Sequence, residues 1–466
     1  MSDLLFRPLT QQIGDLARRA VSPVELLTET LARIEATRET LNAFTALADR
    51  DALIALARSA ELRIANGHAR PLEGIPLGVK DLEDARGLVT SMGSIPFQDN
   101  LAAVDSVQVE RLRAAGAIVV GKTNVPEFGY TALTKNLLFG ASGNPWDPER
   151  TPGGSSGGSA AAIAGGVVSL ATASDGGGSV RLPASFTGCF GMKPSFGRIP
   201  NAGALWVMDD TDVQGPLTRT VEDAALHLDL VVGPHPRDPN SLPHPGVSYR
   251  ALLADLPRGL RVGYSHDLGY AVVQSDVADV AYEAACFFAE HHEFTEVRSA
   301  PPLLAREWGL GGAFDLLGRI EPLLPGREKE FGRAFLKGAL AGRRMTPALW
   351  GEIRRRREEL NRWCGETFER FDLLLTPTAP YDPPPARGPF PDAIGGRPQP
   401  PAGVASFTIP FNLSWHPAAT VRAGFSKAGF PVGLQIVAPR HRDDRVLQAA
   451  FAFERARPWA EDWPQR

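Results

Sequence analysis

The sequence predicts a layered α/β fold, and three observations indicate it. Short apolar runs at 75–79 and 117–120 have the length and composition of buried strands. A segment with helical character, 106–115, lies between them. Hydrophobic residues make up 43% of the 466 residues and charged residues 22%, which is the composition of a folded globular chain. Strands and helices that alternate in this way pack as helices against a sheet.

The first predicted element is a helix near the N-terminus. Residues 22–25 read Ser-Pro-Val-Glu, which is a capping box with proline at the first helical position. The apolar side chains that follow at helical spacing are Val24, Leu27, Leu31 and Ile34. This spacing predicts an amphipathic helix with one buried face.

The later elements are predicted from local patterns. An amphipathic helix spans 221–233 and is followed by a proline-rich loop at 234–245. Residues 250–370 are mostly helical and charged and contain no motif with a known function. Residues 377–401 hold 10 prolines in 25 positions, which predicts a long loop with extended pieces. Strands are predicted at 373–375 and 432–437, and a helix at 443–455.

The composition argues against several classes of function. The chain has 47 glycines and 40 prolines, but no three-residue glycine period, so it is not collagen-like. The net charge is −4 and the one short basic run, 354–357, is followed by two glutamates, so nucleic acid is not an expected partner. Three widely separated cysteines form neither a disulfide framework nor a metal-binding spacing. With no signal-peptide layout and no apolar run of about 20 residues, we expect a cytoplasmic protein without membrane spans.

Two familiar motifs match the sequence letter by letter, but the residues in and around them do not fit the structures that these motifs form. Residues 116–123 match a phosphate-binding loop, yet the middle of the match is a strand-like run that is unsuited to curling around phosphates. Residues 154–158 come close to a nucleophile elbow, yet no strand precedes them. That elbow also needs a histidine base, and no histidine occurs within 69–226. Because folding can bring a distant histidine to the site, the elbow is disfavoured rather than excluded.

A third pattern combines a lysine with two serine clusters. Lys80 ends a buried apolar run, where desolvation favours a neutral, basic amine. Ser155 lies in a Gly/Ser block at 153–159, and Ser179 follows three successive glycines. Glycines let the backbone approach a substrate closely and aim N–H groups at one point, as an oxyanion hole requires. Any one of these features alone is better explained by a Gly-rich helix-packing segment with a snorkelling lysine.

Taken together, these segments resemble the amidase signature family. Lys80 and Asp81, the block 153–159, and the segment 175–181, with its serine 24 residues beyond Ser155, carry the resemblance. Supporting segments are 121–124, 127–128, 144–147, 191–198, 215–219, 411–413 and 431–435. The resemblance covers roughly 60–235 and 371–466. It implies a large mixed, twisted β-sheet covered on both sides by α-helices.

The resemblance implies a role for each residue of the pattern. Ser179 is the nucleophile, Lys80 the general base, and Ser155 the bridging serine, held on a cis peptide bond. The backbone N–H groups of Gly176, Gly177, Gly178 and Ser179 form the oxyanion hole. Asp175 and Arg181 match family positions that brace the loop. No metal or organic cofactor is implied.

The resemblance also implies one domain over 1–466. Its parts are N-terminal helices at 1–60, a signature core at 61–235, a variable and mostly helical region at 236–370, and a C-terminal return to the core at 371–466 that contains the proline-rich loop 377–401. The expected assembly is a monomer or a homodimer.

The expected substrates are small amides and carbamates. Taken whole, the chain resembles the urethanase and aryl-acylamidase members of the family. The expected substrate-binding residues are Gly140, Ala141 and Ser142, which precede the first serine block, and Gln399 in a proline-rich lid. Gly176 departs from the family pattern, which has a larger residue there, and the departure opens space near the scissile group.

Two other functions stay open at this point. The family resemblance also fits the glutamine-hydrolysing A subunit of a tRNA amidotransferase, which acts with a partner subunit. A non-catalytic binding protein that keeps the fold is the third hypothesis. The intact Lys80, Ser155 and Ser179 set favours an enzyme over that third hypothesis.

Overall fold

A computed structural model of the chain describes residues 3–204, 210–459 and 462–464. The strands are, in chain order, β1 (Phe44–Leu47), β2 (Pro76–Lys80), β3 (Ile118–Thr123), β4 (Lys135–Asn136), β5 (Gly140–Ala141), β6 (Leu170–Asp175), β7 (Phe190–Lys193), β8 (Val213–Thr218), β9 (Arg261–Tyr264), β10 (Glu293–Glu296), β11 (Leu373–Pro377), β12 (Ala393–Ile394), β13 (Arg397–Pro398), β14 (Ala418–Phe425) and β15 (Pro431–Val437).

The α-helices connect these strands. They are α1 (Leu9–Ala17), α2 (Pro23–Ala36), α3 (Arg38–Leu41), α4 (Arg50–Ala65), α5 (Val107–Ala114), α6 (Gly157–Ala164), α7 (Arg181–Thr187), α8 (Val221–Val231), α9 (Tyr249–Leu252), α10 (Ser275–Cys286), α11 (Ala305–Ile320), α12 (Arg333–Leu340), α13 (Pro347–Arg370), α14 (Ile409–Leu413) and α15 (Asp443–Ala456).

Eleven of the strands form one mixed sheet in the order β1-β3-β2-β6-β8-β7-β14-β15-β11-β9-β10. Strands β3, β2 and β6 run parallel to one another, and so do β11, β9 and β10. The neighbours from β6 to β11 are antiparallel. The predicted large mixed sheet is therefore confirmed.

Helices cover both faces of this sheet. In β11, Leu373 and Leu375 point into the largest apolar core, whereas Leu374 points into a second core on the opposite face. The first core includes residues of α10 and α15, and the second includes residues of α13 and α14. Alternating side chains of one strand thus bury apolar surface in two layers, as expected for a sheet between helices.

The region 250–370 contributes more than the predicted helices. Its strands β9 and β10 extend the sheet at one edge. Each is only four residues long, and the exposed residues of β10 carry little apolar signal. Short strands of this kind are formed by pairing with neighbours rather than by local pattern.

The structure fits neither the phosphate-binding loop nor the nucleophile elbow, the two motifs that match the sequence only by letter. Residues Ile118–Thr123 form the buried strand β3 rather than a phosphate-binding loop. Residues 151–156 form a loop before α6, so Ser156 is not preceded by the strand that a nucleophile elbow requires. No described helix is long and apolar enough to cross a membrane.

The register of the sheet brings Lys80, Asp175 and Asp212 close together at the carboxyl ends of β2 and β6. Strand β2 ends at Lys80 and the neighbouring parallel strand β6 ends at Asp175, so the residues after both ends meet. Strand β8 runs antiparallel to β6 and pairs Val213 with Asp175, which brings Asp212 alongside Gly176.

The capping box predicted at the start of α2 is confirmed. The Ser22 side chain accepts a hydrogen bond from the Glu25 backbone N–H, and the Glu25 side chain accepts one from the Ser22 backbone N–H.

Candidate active site

A cavity of about 250 Å³ opens at the carboxyl ends of β2 and β6. Ser155, Ser179 and the three glycines at 176–178 form one wall. Apolar side chains form much of the rest, and they are Leu82, Leu182, Trp308, Phe390, Val404 and Ile409. Among the lining residues that the structure describes, Asp212 is the one charged side chain. A mostly apolar pocket with a few convergent polar groups is typical of a small-molecule site.

Lys80 lies beneath this wall and is 1% exposed. Its Nζ donates hydrogen bonds to Ser155 Oγ at 2.8 Å, to Ser174 Oγ at 2.8 Å and to the Ser174 carbonyl at 3.1 Å. Burial lowers the pKa of Lys80 to about 8, although the negative charges of Asp212 and Asp175 oppose the shift. Lys80 is therefore placed to act as a base on Ser155 when its amine is neutral.

Ser155 follows a cis peptide bond, as the family resemblance implies. The bond between Gly154 and Ser155 is cis although Ser155 is not a proline. The next residue, Ser156, donates its backbone N–H to the Ser179 carbonyl at 3.2 Å, which ties the two serine segments together. Within the described residues the Ser155 and Ser179 hydroxyls are not hydrogen-bonded to each other. Catalytic hydrogen bonds often tighten only when substrate binds.

The glycine loop that carries Ser179 is held by a buried ion pair. Asp175 and Arg181 are both fully buried, with Arg181 Nη2 2.8 Å from Asp175 Oδ1. Burial by itself raises the pKa of Asp175, but the Arg181 guanidinium and further hydrogen bonds hold that pKa well below its ordinary value. Arg181 also donates to Asn412 and Gln435. The bracing role expected of Asp175 and Arg181 matches these contacts.

The prediction that the Gly178 N–H group is an oxyanion-hole donor is wrong. The Gly178 N–H donates to Asp175 Oδ1 at 2.7 Å, so it is not free to bind a substrate oxygen. The Gly177 carbonyl on the same peptide unit accepts a hydrogen bond from Thr408 Oγ1 at 2.6 Å, which fixes that unit at both ends. The N–H groups of Gly176, Gly177 and Ser179 have no acceptor within the described part of the chain, so they are the remaining candidates.

Trp308 is a residue of the site that sequence reasoning missed. It lies on α11 in the variable region, lines the cavity, and donates its indole N–H to the Gly176 carbonyl at 2.8 Å. In a trans peptide the carbonyl and the following N–H point in opposite directions. Trp308 therefore fixes the direction of the Gly177 N–H, one of the candidate oxyanion donors.

We expect Trp308→Phe to lower kcat for an amide substrate by about 3- to 10-fold, because one hydrogen bond worth roughly 1 kcal/mol is lost while the ring remains. Steady-state kinetics with 4-nitroacetanilide measures the effect. Trp350→Phe is the matched control, since Trp350 is 44% exposed on α13. An unchanged kcat in Trp308→Phe would contradict the role given to the indole N–H.

The expected substrate-binding residues do not line this cavity. Gly140 and Ala141 form the short strand β5, where the Ala141 carbonyl accepts a hydrogen bond from Asn42. Ser142 is fully buried and donates to the Asn42 carbonyl. Gln399 donates to the Val272 carbonyl at 3.3 Å. Gly140, Ala141 and Ser142 thus pack against the segment around Asn42. Gln399 contacts Val272 and does not line the cavity.

Other parts of the same loops do reach the cavity. Residues 129–132, which precede the expected binding segment, lie along it. From the proline-rich loop and the segment after it, Phe390, Pro401 and Ala402 contribute. Parts of the predicted proline-rich loop therefore line the cavity, whereas the stretch 397–400 that was expected to form a lid is not among the lining residues. No group of three metal-ligating side chains occurs within the described residues.

Several known proteins are similar to this chain over nearly its whole length. A bacterial aryl acylamidase of the amidase signature enzymes has a similar structure, with a TM-score of 0.92, 29% identity and 98% of each chain covered. An acylamidase from Rhodococcus erythropolis is 35% identical over 476 residues, covering 98% of this chain and 96% of that protein. The A subunit of a glutamyl-tRNA(Gln) amidotransferase from Trichlorobacter lovleyi is 34% identical, covering 95% and 96%.

The fold is thus that of enzymes that hydrolyse amides. The model of the amidase family matches residues 25–310 and 324–447. The chain belongs to the amidase family, and it is an enzyme that hydrolyses carbon–nitrogen bonds.

The pKa of Lys80 leads to a pH dependence of activity. If neutral Lys80 is the base, log kcat/KM rises with pH at a slope near one and levels off above the Lys80 pKa of about 8. A pH–rate profile with 4-nitroacetanilide between pH 6 and 10 checks this. A profile that is flat between pH 6 and 9 would contradict a base that titrates in this range.

Proposed function

We propose that this enzyme hydrolyses small aryl and alkyl amides and carbamates through Lys80, Ser155 and Ser179. The observation that carries the proposal is the 2.8 Å hydrogen bond from Lys80 Nζ to Ser155 Oγ, at the wall of a cavity that also contains Ser179. A buried amine beside one hydroxyl, and a second hydroxyl after a glycine loop, supply a base, a relay and a nucleophile.

The reaction uses these groups in turn. Neutral Lys80 takes the proton of Ser155, Ser155 takes that of Ser179, and Ser179 Oγ forms a bond to the substrate carbonyl carbon. The carbonyl oxygen becomes negative and is held by the N–H groups of Gly176, Gly177 and Ser179. The C–N bond breaks as the proton returns through Ser155 to the leaving amine. Water then attacks the acyl-enzyme through the same relay and releases the acid and Ser179.

The cavity wall favours neutral substrates with apolar groups. Trp308, Phe390 and Ile409 offer apolar surface, and no arginine or lysine occurs among the described residues that line the cavity. A free amino acid such as glutamine carries a carboxylate, which needs a cationic partner when it is desolvated. The described lining therefore favours anilides and carbamates over glutamine.

A substrate panel tests the proposal on one purified chain. We expect turnover of 4-nitroacetanilide and of ethyl N-phenylcarbamate, and no release of ammonia from glutamine. The enzyme is assayed without any partner subunit, and size-exclusion chromatography checks the expected monomer or homodimer. Turnover of glutamine with no turnover of the anilide or the carbamate would overturn the proposal in favour of the amidotransferase subunit.

A further inference from the structure

The cavity contains an acidic group that the reaction above does not use. Asp212 directly precedes β8, is 5% exposed, and lines the cavity together with Ser155 and Ser179. The pairing of Val213 with Asp175 fixes it beside Gly176, at the start of the glycine loop. The backbone N–H of Val213 stabilises the ionised form of this carboxyl group by a hydrogen bond, and a carboxylate can accept further hydrogen bonds beyond that one.

Gly176 leaves this carboxyl group open to the cavity. A Cβ built at Gly176 would lie 3.6 Å from Asp212 Oδ1, with no closer atom. A larger side chain at position 176 would therefore lie against the carboxyl group and cover it. The backbone of Gly176 is not in the left-handed region, so no backbone requirement accounts for the glycine.

The charged groups that act on Asp212 include Lys80 and Asp175. Burial raises the pKa of Asp212 to about 7, while the Lys80 ammonium opposes the shift and Asp175 adds to it. No ion pair joins Asp212 to a lysine or an arginine within the described residues. Above pH 7 the ionised Asp212 therefore presents hydrogen-bond acceptors to whatever fills the cavity.

We propose that Asp212 is a specificity-determining residue that accepts a hydrogen bond from an N–H group on the scissile carbonyl. This inference rests on the proposed function. In the proposed complex, the carbonyl is held by the Gly176, Gly177 and Ser179 N–H groups, and its nitrogen substituent lies within reach of Asp212, the neighbour of Gly176. The enzyme therefore selects secondary amides and N–H carbamates over their N-alkylated analogues.

The test compares 4-nitroacetanilide with N-methyl-4-nitroacetanilide at pH 8.5, where Asp212 is ionised. Both substrates form the same acetyl-enzyme and both need a protonated leaving amine. The added bulk and the altered amide geometry of the N-methyl substrate are the same for every variant, so the change in the ratio of the two kcat/KM values between variants reports on the N–H group. We expect the wild-type enzyme to prefer the N–H substrate by at least about tenfold, which is roughly one good hydrogen bond to a charged group. We expect Asp212→Ala to reduce this preference to within about threefold.

Three further variants complete the test. Asp212→Asn keeps an acceptor oxygen without the charge, so it retains part of the preference. Gly176→Val keeps Asp212 but covers it, so it lowers the preference even if Asp212→Ala fails to fold. Asp255→Ala removes an exposed carboxyl group outside the cavity and serves as the control with an unchanged preference.

The outcomes separate this inference from the proposed function. A wild-type preference that persists in both Asp212→Ala and Gly176→Val overturns the inference, even when the rates with both substrates fall. If Ser179→Ala still turns over the anilide, the proposed function itself fails. An inactive Ser179→Ala, together with a preference that is lost in Asp212→Ala, supports both.

Discussion

Ser179→Ala lowers kcat/KM for 4-nitroacetanilide by at least about 10⁴-fold, because removing the nucleophile removes the covalent path and leaves only binding and the oxyanion donors. The variant is expected to fold, since Ser179 is only partly buried and its side chain makes no hydrogen bond within the described residues. The measurement is the steady-state rate at substrate concentrations below KM, with thermal unfolding recorded for the same preparation.

Ser156→Ala is the matched control for this prediction. Ser156 would be the nucleophile of the elbow-like motif at 154–158, but its side chain is fully buried and donates to the Ser174 carbonyl at 3.2 Å. We expect Ser156→Ala to keep kcat/KM within about tenfold of the wild type, since the variant loses only two neutral hydrogen bonds, both to the Ser174 backbone. A loss of activity in Ser156→Ala that equals or exceeds the loss in Ser179→Ala would reverse the assignment of the nucleophile.

Lys80→Met lowers kcat/KM by at least about 10³-fold, because Ser155 loses the base that takes its proton. Methionine has a similar length and fills the space of the lysine stem without supplying an amine. The same anilide assay measures the loss of activity. It is repeated at pH 8.5 and above, where the wild-type Lys80 is neutral.

Lys193→Met provides the matched control for Lys80. Lys193 is also fully buried at the end of a strand, and burial lowers its pKa to about 7, but its Nζ donates to the Pro194 carbonyl and does not contact the two serines. We expect its activity per folded molecule to remain within a few-fold of the wild type. Equal losses per folded molecule in the two variants would mean that removal of either buried lysine impairs activity, and would refute the specific role of Lys80 as base.

The residues of the site that sequence reasoning found share a local signal. Lys80 ends an apolar run, so its place at the end of a buried strand could be predicted. Ser155 and Ser179 lie 24 residues apart, and the segment between them forms the helix α6 and the return strand β6. A helix followed by a strand brings the chain back to the same edge of a sheet, and the glycines around both serines mark the close backbone approach.

The residues that it missed depend on distant packing. Trp308 reaches Gly176 across 132 residues, from a helical region that contains no motif of its own. Asp212 reaches the cavity through the antiparallel register of β6 and β8, which no local pattern specifies. The error at Gly178 has the same cause, since nothing in a glycine run shows which N–H faces Asp175 and which faces the cavity. Gly140, Ala141 and Ser142 are near the first serine block in the sequence, but this nearness does not bring them to the cavity.

The most direct test of the central claim is to locate the covalent adduct that a serine-directed fluorophosphonate forms with the folded enzyme. Trypsin is expected to release residues 151–181 as one peptide, which contains both Ser155 and Ser179, so fragmentation within that peptide is needed to assign the site. We predict one adduct per chain, on Ser179, and none in Lys80→Met on the same timescale. An adduct on Ser155 or Ser156, or a folded enzyme that does not react, would contradict Ser179 as the nucleophile.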